Sequence, residues 1–117
     1  MTVEKSIYDA LKGLVADEVY PDVAPATAAK PYIVYQQIGG IAINFLDTTT
    51  IPSKRRSRFQ VAVWGETRKA VAALAAQAED ALRAVTTLQT TVEASPVAIY
   101  EPDTRLYGSL QDFSFIS

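Results

Sequence analysis

The sequence predicts an α+β fold: an antiparallel-rich sheet of about four or five strands with two helices packed on one face. Three observations predict it. Two segments, Thr2 to about Ala16 and Glu66 to about Val85, carry apolar residues at helical spacing. Several other segments are rich in β-branched and aromatic residues. Those strand segments are not regularly interleaved with helices, which argues against a doubly wound parallel sheet. The chain has 117 residues, the size of one domain, and a domain of this size buries about 65% of its unfolded surface.

In the first helix Ile7, Leu11, Leu14 and Val15 fall on one face, extended by Val3. Thr2 can cap it and Glu4 suits its first turn, whereas Gly13 weakens its end. Pro21, Pro25 and Pro31 then break the pattern, so Val19–Lys30 reads as an irregular connector pinned by Val19, Tyr20 and Val23. Tyr32–Ile38 reads as a strand ending at a turn made by Gly39-Gly40. No phosphate-loop pattern follows those glycines, and no helix opens there.

Residues Ile41–Ser53 read as a long loop or a loosely paired β-arm. Ile41, Ile43, Phe45, Leu46 and Ile51 make it unusually apolar, which suggests a partner surface. Lys54–Trp64 is the longest strand candidate, with Phe59, Val61 and Val63 on one face and Arg58, Gln60, Ala62 and Trp64 on the other. The second helix is alanine-rich, with Val71, Leu74, Ala78, Leu82 and Val85 as its apolar stripe. Thr86–Ser95 is a turn or short edge strand, Val97–Tyr100 a short strand, and Leu106–Ile116 a strand bulged around Gly108. Both helices cover one sheet face, leaving Tyr and Trp side chains on the other for contact.

Composition removes whole classes of chemistry. There is no Cys and no His, so neither thiolate nor imidazole chemistry is available. Disulfides and the usual zinc sites go with them. The carboxylates Asp17-Glu18 with Asp22, Glu79-Asp80, and Glu101 with Asp103 match no calcium-loop spacing. No catalytic residue, cofactor or metal is therefore expected. The net charge of −2 argues against a general nucleic-acid binder. Glu4, Lys5, Asp9 and Lys12 interrupt any signal-peptide core near the start, and no apolar run is long enough to span a membrane.

One cluster stands apart. Lys54, Arg55, Arg56 and Arg58 crowd four cations into five residues. They form either a patch facing an acidic partner or a charged strand end that discourages edge-to-edge aggregation. Tyr32, Tyr35, Trp64, Tyr100 and Tyr107 are candidates for an interface or for ordinary packing.

Taken in order, several stretches resemble the tail-completion proteins (tail terminator, or tail-to-head joining proteins) of long-tailed bacteriophages and prophages. They are Ile7-Tyr8-Asp9-Ala10-Leu11, Val19-Tyr20-Pro21-Asp22-Val23-Ala24-Pro25 and Pro31-Tyr32-Ile33-Val34-Tyr35-Gln36. Arg58-Phe59-Gln60-Val61-Ala62-Val63-Trp64, Thr67 before the alanine-rich helix, and Leu110-Gln111-Asp112-Phe113-Ser114-Phe115 complete the set. The resemblance spans nearly the whole chain but not Ile41–Ser53. It implies a small α+β structural subunit without enzymatic activity, acting in the virion tail after assembly in the host cytoplasm. It further implies a ring, usually six-fold, that caps the finished tail tube and offers a surface to the head connector. DNA would pass its lumen without specific binding. On that reading subunits meet partly through Ile41–Ser53, and the basic run contacts acidic surface on a neighbour or the tube protein. Head closure is the nearest alternative role, and a stand-alone module binding an acidic partner or nucleic acid a more distant one.

Overall fold

The computed structural model describes residues 2–43 and 54–116. Helix α1 (Val3–Leu11) starts where Thr2 caps it, the threonine hydroxyl accepting from the Lys5 amide at 3.1 Å. Ile7 and Leu11, one turn apart, are fully buried. The helix is shorter than its apolar pattern predicts. It tightens into a 3₁₀ turn at Lys12–Leu14, and Ala16 and Asp17 then take left-handed backbone angles.

A short strand, β1 (Val19–Pro21), opens the segment expected to be irregular throughout. It pairs parallel to β2 (Tyr32–Ile43), placing Val19 beside Ile33 in the core. Of the three residues expected to pin this segment, Val19 is buried and Tyr20 half-buried, but Val23 is 76% exposed.

The glycine pair makes no turn. β2 runs through Gly39 and Gly40 as far as Ile43, with a register shift between Gln37 and Gly39 against β3 (Lys54–Gly65). The two glycines have φ of +154° and +151°, and a Cβ on Gly40 would lie 2.4 Å from the Arg56 carbonyl oxygen. Close approach of the two strands at Gly40, and positive φ alone at Gly39 where a Cβ would meet nothing within 4 Å, favour glycine here rather than reversal of the chain.

Helix α2 (Arg68–Arg83) follows, capped by Thr67, and buries Val71, Leu74, Ala75, Ala78 and Leu82. A 3₁₀ turn at Thr86–Leu88 leads to β4 (Thr91–Val92), β5 (Val97–Glu101) and β6 (Leu106–Ile116). The strand order is β1-β2-β3-β6-β4, with β5 also on β6. Among the described residues, only the β1–β2 pair is parallel. Among the described residues the sheet thus has six strands, slightly more than expected. β4 and β5 lie end to end along β6: Val92 pairs with Phe113 and Val97 with Leu110, so residues 93–96 bulge opposite residues 111–112.

The bulge expected around Gly108 is not where the pairing breaks. The β3–β6 register runs unbroken from Gly65 opposite Tyr107 to Arg56 opposite Ile116. Gly108 lies between Trp64 and Ile99, and a Cβ there would come within 2.7 Å of the Trp64 ring. The glycine makes room for the indole on the neighbouring strand.

Alternation along the strands then sorts the two faces. Ile33, Tyr35, Phe59, Val61, Val63, Phe113 and Phe115 face the helices and form the core with Ile7, Leu11 and Leu82. Phe115 sits 5.8 Å from Phe59 and 6.2 Å from Phe113, ring centre to ring centre. Each such buried side chain contributes about 1.5–3 kcal/mol.

Candidate interaction surface

Among the described residues, no helix lies over the other sheet face. Tyr32 and Val34 of β2, Trp64 of β3, Leu110 of β6 and Ile99 of β5 stand there half-buried. Of the aromatic candidates, Tyr32 and Trp64 reach this face. Tyr35 instead enters the core, where burial first, and then Glu4 and Asp22, raise its hydroxyl pKa above the ordinary range. Tyr100 and Tyr107 pack on each other at 4.9 Å and stay 50% and 37% exposed.

Towards the far end of β3 the same face becomes polar. Arg56 Nη2 donates to Glu93 Oε1 at 2.8 Å, and the Ser114 hydroxyl donates to the same oxygen. Arg58 Nη2 donates to Asp112 Oδ2 at 3.2 Å. The serine hydrogen bond first, then Arg56, holds the Glu93 carboxyl below the ordinary carboxylate range. Arg56, Arg58, Glu93, Ser114 and Gly40 line a cleft of about 410 Å³.

This geometry divides the basic run. Arg56 and Arg58 are partly neutralised by carboxylates of the same chain. Arg55 is exposed on the opposite face and has no ion-pair partner among the described residues. The side chain of Lys54 lies outside the described residues, as do those of Ile41 and Ile43. The backbone is described there: Ile41 pairs with Arg56 and Ile43 with Lys54. The start of the apolar segment therefore lies along the basic run. Phe45, Leu46 and Ile51 lie outside the described residues.

Glu93, Asp112 and Ser114 were not readable as partners of the arginines. Asp112 and Ser114 are two apart and so share a face of β6, but only the β3–β6 register places that face beside Arg56 and Arg58. Each of the other carboxylate clusters has one member engaged within the chain. Glu79 accepts from Gln111 at 2.8 Å, Glu18 from the Tyr20 hydroxyl, and Glu101 from the Asp103 amide at 3.2 Å. Among the described residues no group of three or more carboxylates gathers to hold a metal ion, and no helix is long and apolar enough to cross a membrane.

The arrangement offers surfaces for contact: an open sheet face, a cationic strand end and exposed sheet edges. A family model described as tail completion protein gp17 matches residues 6–117. Among solved structures, a chain from the virion of a native gene transfer agent particle superposes with a TM-score of 0.63 at 16% identity. That match covers 97% of this chain and 92% of the other, and at this identity the likeness is one of fold. No curated protein sequence matches the chain at a significant level.

Proposed function

The chain belongs to the family of tail completion protein gp17, a structural role in the phage tail, and from that premise we propose that it terminates the tail tube. Copies form a ring on the tube end, stop further addition of tube protein, and present their outer surface to the head connector. The ring is six-fold, assembles in the host cytoplasm, and lets DNA through its lumen without specific contacts. The observation that carries this reading is the extent of the family match: residues 6–117 take in most of α1, all of α2 and every strand among the described residues. A net charge of −2, with Arg56 and Arg58 paired internally, agrees with a lumen that does not grip phosphate.

Polymerisation of the matching tail tube protein tests the proposal. Adding the purified chain should arrest tube growth at a chain-to-end ratio far below one copy per tube subunit. Tubes of unchanged length and growth rate would overturn it.

A further inference from the structure

The outer edge of β2 is paired over only part of its length. β1 covers Ile33–Tyr35, and the Asp22 amide bonding the Tyr35 carbonyl is the last link on that side. From Gln36 to Gly40 the strand is exposed and, among the described residues, unpaired along this edge. The opposite side of the sheet ends in β4 and β5, whose outer edges are likewise unpaired among the described residues.

Exposed apolar side chains gather at these same two edges. Val23 (76% exposed) and Ile38 (43%) lie by the β2 edge. Val97 (59%) and Tyr100 (50%) lie on β5, with Tyr107 packed against Tyr100. Among the described residues, exposed large apolar side chains gathered mainly at two opposite borders of one sheet are the pattern of a surface that closes on its own kind.

Strand direction and charge agree. β2 runs antiparallel to β3, β3 to β6, and β6 to both β4 and β5. A second copy in the same orientation therefore brings its β4–β5 edge antiparallel to the free edge of β2. Residues 36–58 carry Lys54, Arg55, Arg56 and Arg58 against one acid, Asp47, and of these Arg56 and Arg58 are already held by Glu93 and Asp112 of the same chain, so Arg55 and Lys54 supply the charge offered to a second copy. Residues 91–103 carry Glu93, Glu101 and Asp103 and no base, and with Glu93 held by Arg56 of its own chain, Glu101 and Asp103 are the acids left to face a neighbour.

We propose that the free edge of β2 at Gln36–Gly40 is completed by the β4–β5 edge of a second copy of this chain, so that copies join head to tail through one continuous sheet. The pairing deepens the proposed ring and rests on that reading for closure only.

The chain has no cysteine, so engineered thiols report without background. Gln37→Cys in a tagged chain is mixed with Thr91→Cys or Val97→Cys in an untagged chain and treated with a short thiol cross-linker. A mixed product about tenfold above either chain alone is expected, because pairing raises the local thiol concentration. Dominance of the Gln37→Cys homodimer, or no product with either partner, would overturn the proposal.

Gln37→Pro gives an independent check. Alternation from Ile33, whose amide points outward to Glu18, puts the Gln37 amide on the outer edge. Proline there removes a donor that β3 does not use. Folded Gln37→Pro should lose most of the cross-link between Thr91→Cys or Val97→Cys and a reporter at Gln36→Cys in the proline chain, and retention would count against the pairing. Cross-linking without arrest of tube growth would sink the terminator reading and leave the pairing standing. Arrest without cross-linking would do the reverse.

Discussion

At Gly40 the Arg56 carbonyl oxygen lies 2.4 Å from where a Cβ would stand, and φ is +151°. Gly40→Ala should therefore cost about 1–3 kcal/mol, read by denaturant unfolding. Gly13 has no neighbour within 4 Å of its missing Cβ, so Gly13→Ala should be neutral or gain up to about 1 kcal/mol. Equal effects at the two sites would contradict the close strand approach. Glu93 gives a pH signature. Its carboxyl is held below the ordinary range by Ser114 and Arg56, so its folded value lies below its unfolded one. The stability it contributes is present above the unfolded value, near about pH 4, and is lost as pH falls through the folded value. The thermal stability difference between the wild type and Glu93→Gln should shrink from about pH 6 to about pH 3. A difference independent of pH would exclude the ionised contact.

At the scale of elements, Phe113→Ala should cost about 3–5 kcal/mol, because the ring is buried in the core beside Phe115. Thr67→Ala should cost about 1 kcal/mol through loss of the α2 cap, seen as a lower midpoint with unchanged denaturant slope. These elements were legible because their signals are local. Ile7 and Leu11 repeat at one helical turn, and Phe59, Val61 and Val63 alternate along one strand. The glycine pair misled for the same reason: locally it reads as a turn, while Gly40 answers to the β3 backbone opposite and Gly39 to its own positive φ. The Arg56–Glu93 contact spans 37 positions in sequence and exists only because β6 lies between β3 and β4. No local pattern encodes that order. Two unlinked strand signals, at residues 91–92 and 97–101, likewise hid one interrupted edge.

At the scale of the molecule, the helix-covered face makes the core, while the open face and the two borders of the sheet are the surfaces proposed for contact. Arg55 is the cleanest probe of the cationic end, since reversing Arg56 also breaks its bond to Glu93. Arg55→Glu should change stability by less than about 0.5 kcal/mol yet weaken arrest of tube growth. Full arrest by this variant would rule Arg55 out of the contact with an acidic neighbour. Direct imaging of tail tubes incubated with the purified chain tests the central claim most closely. A closed ring of copies on one end of each tube, with the walls bare, is the predicted result. Copies scattered along the walls, or tube ends left uncovered, would contradict it.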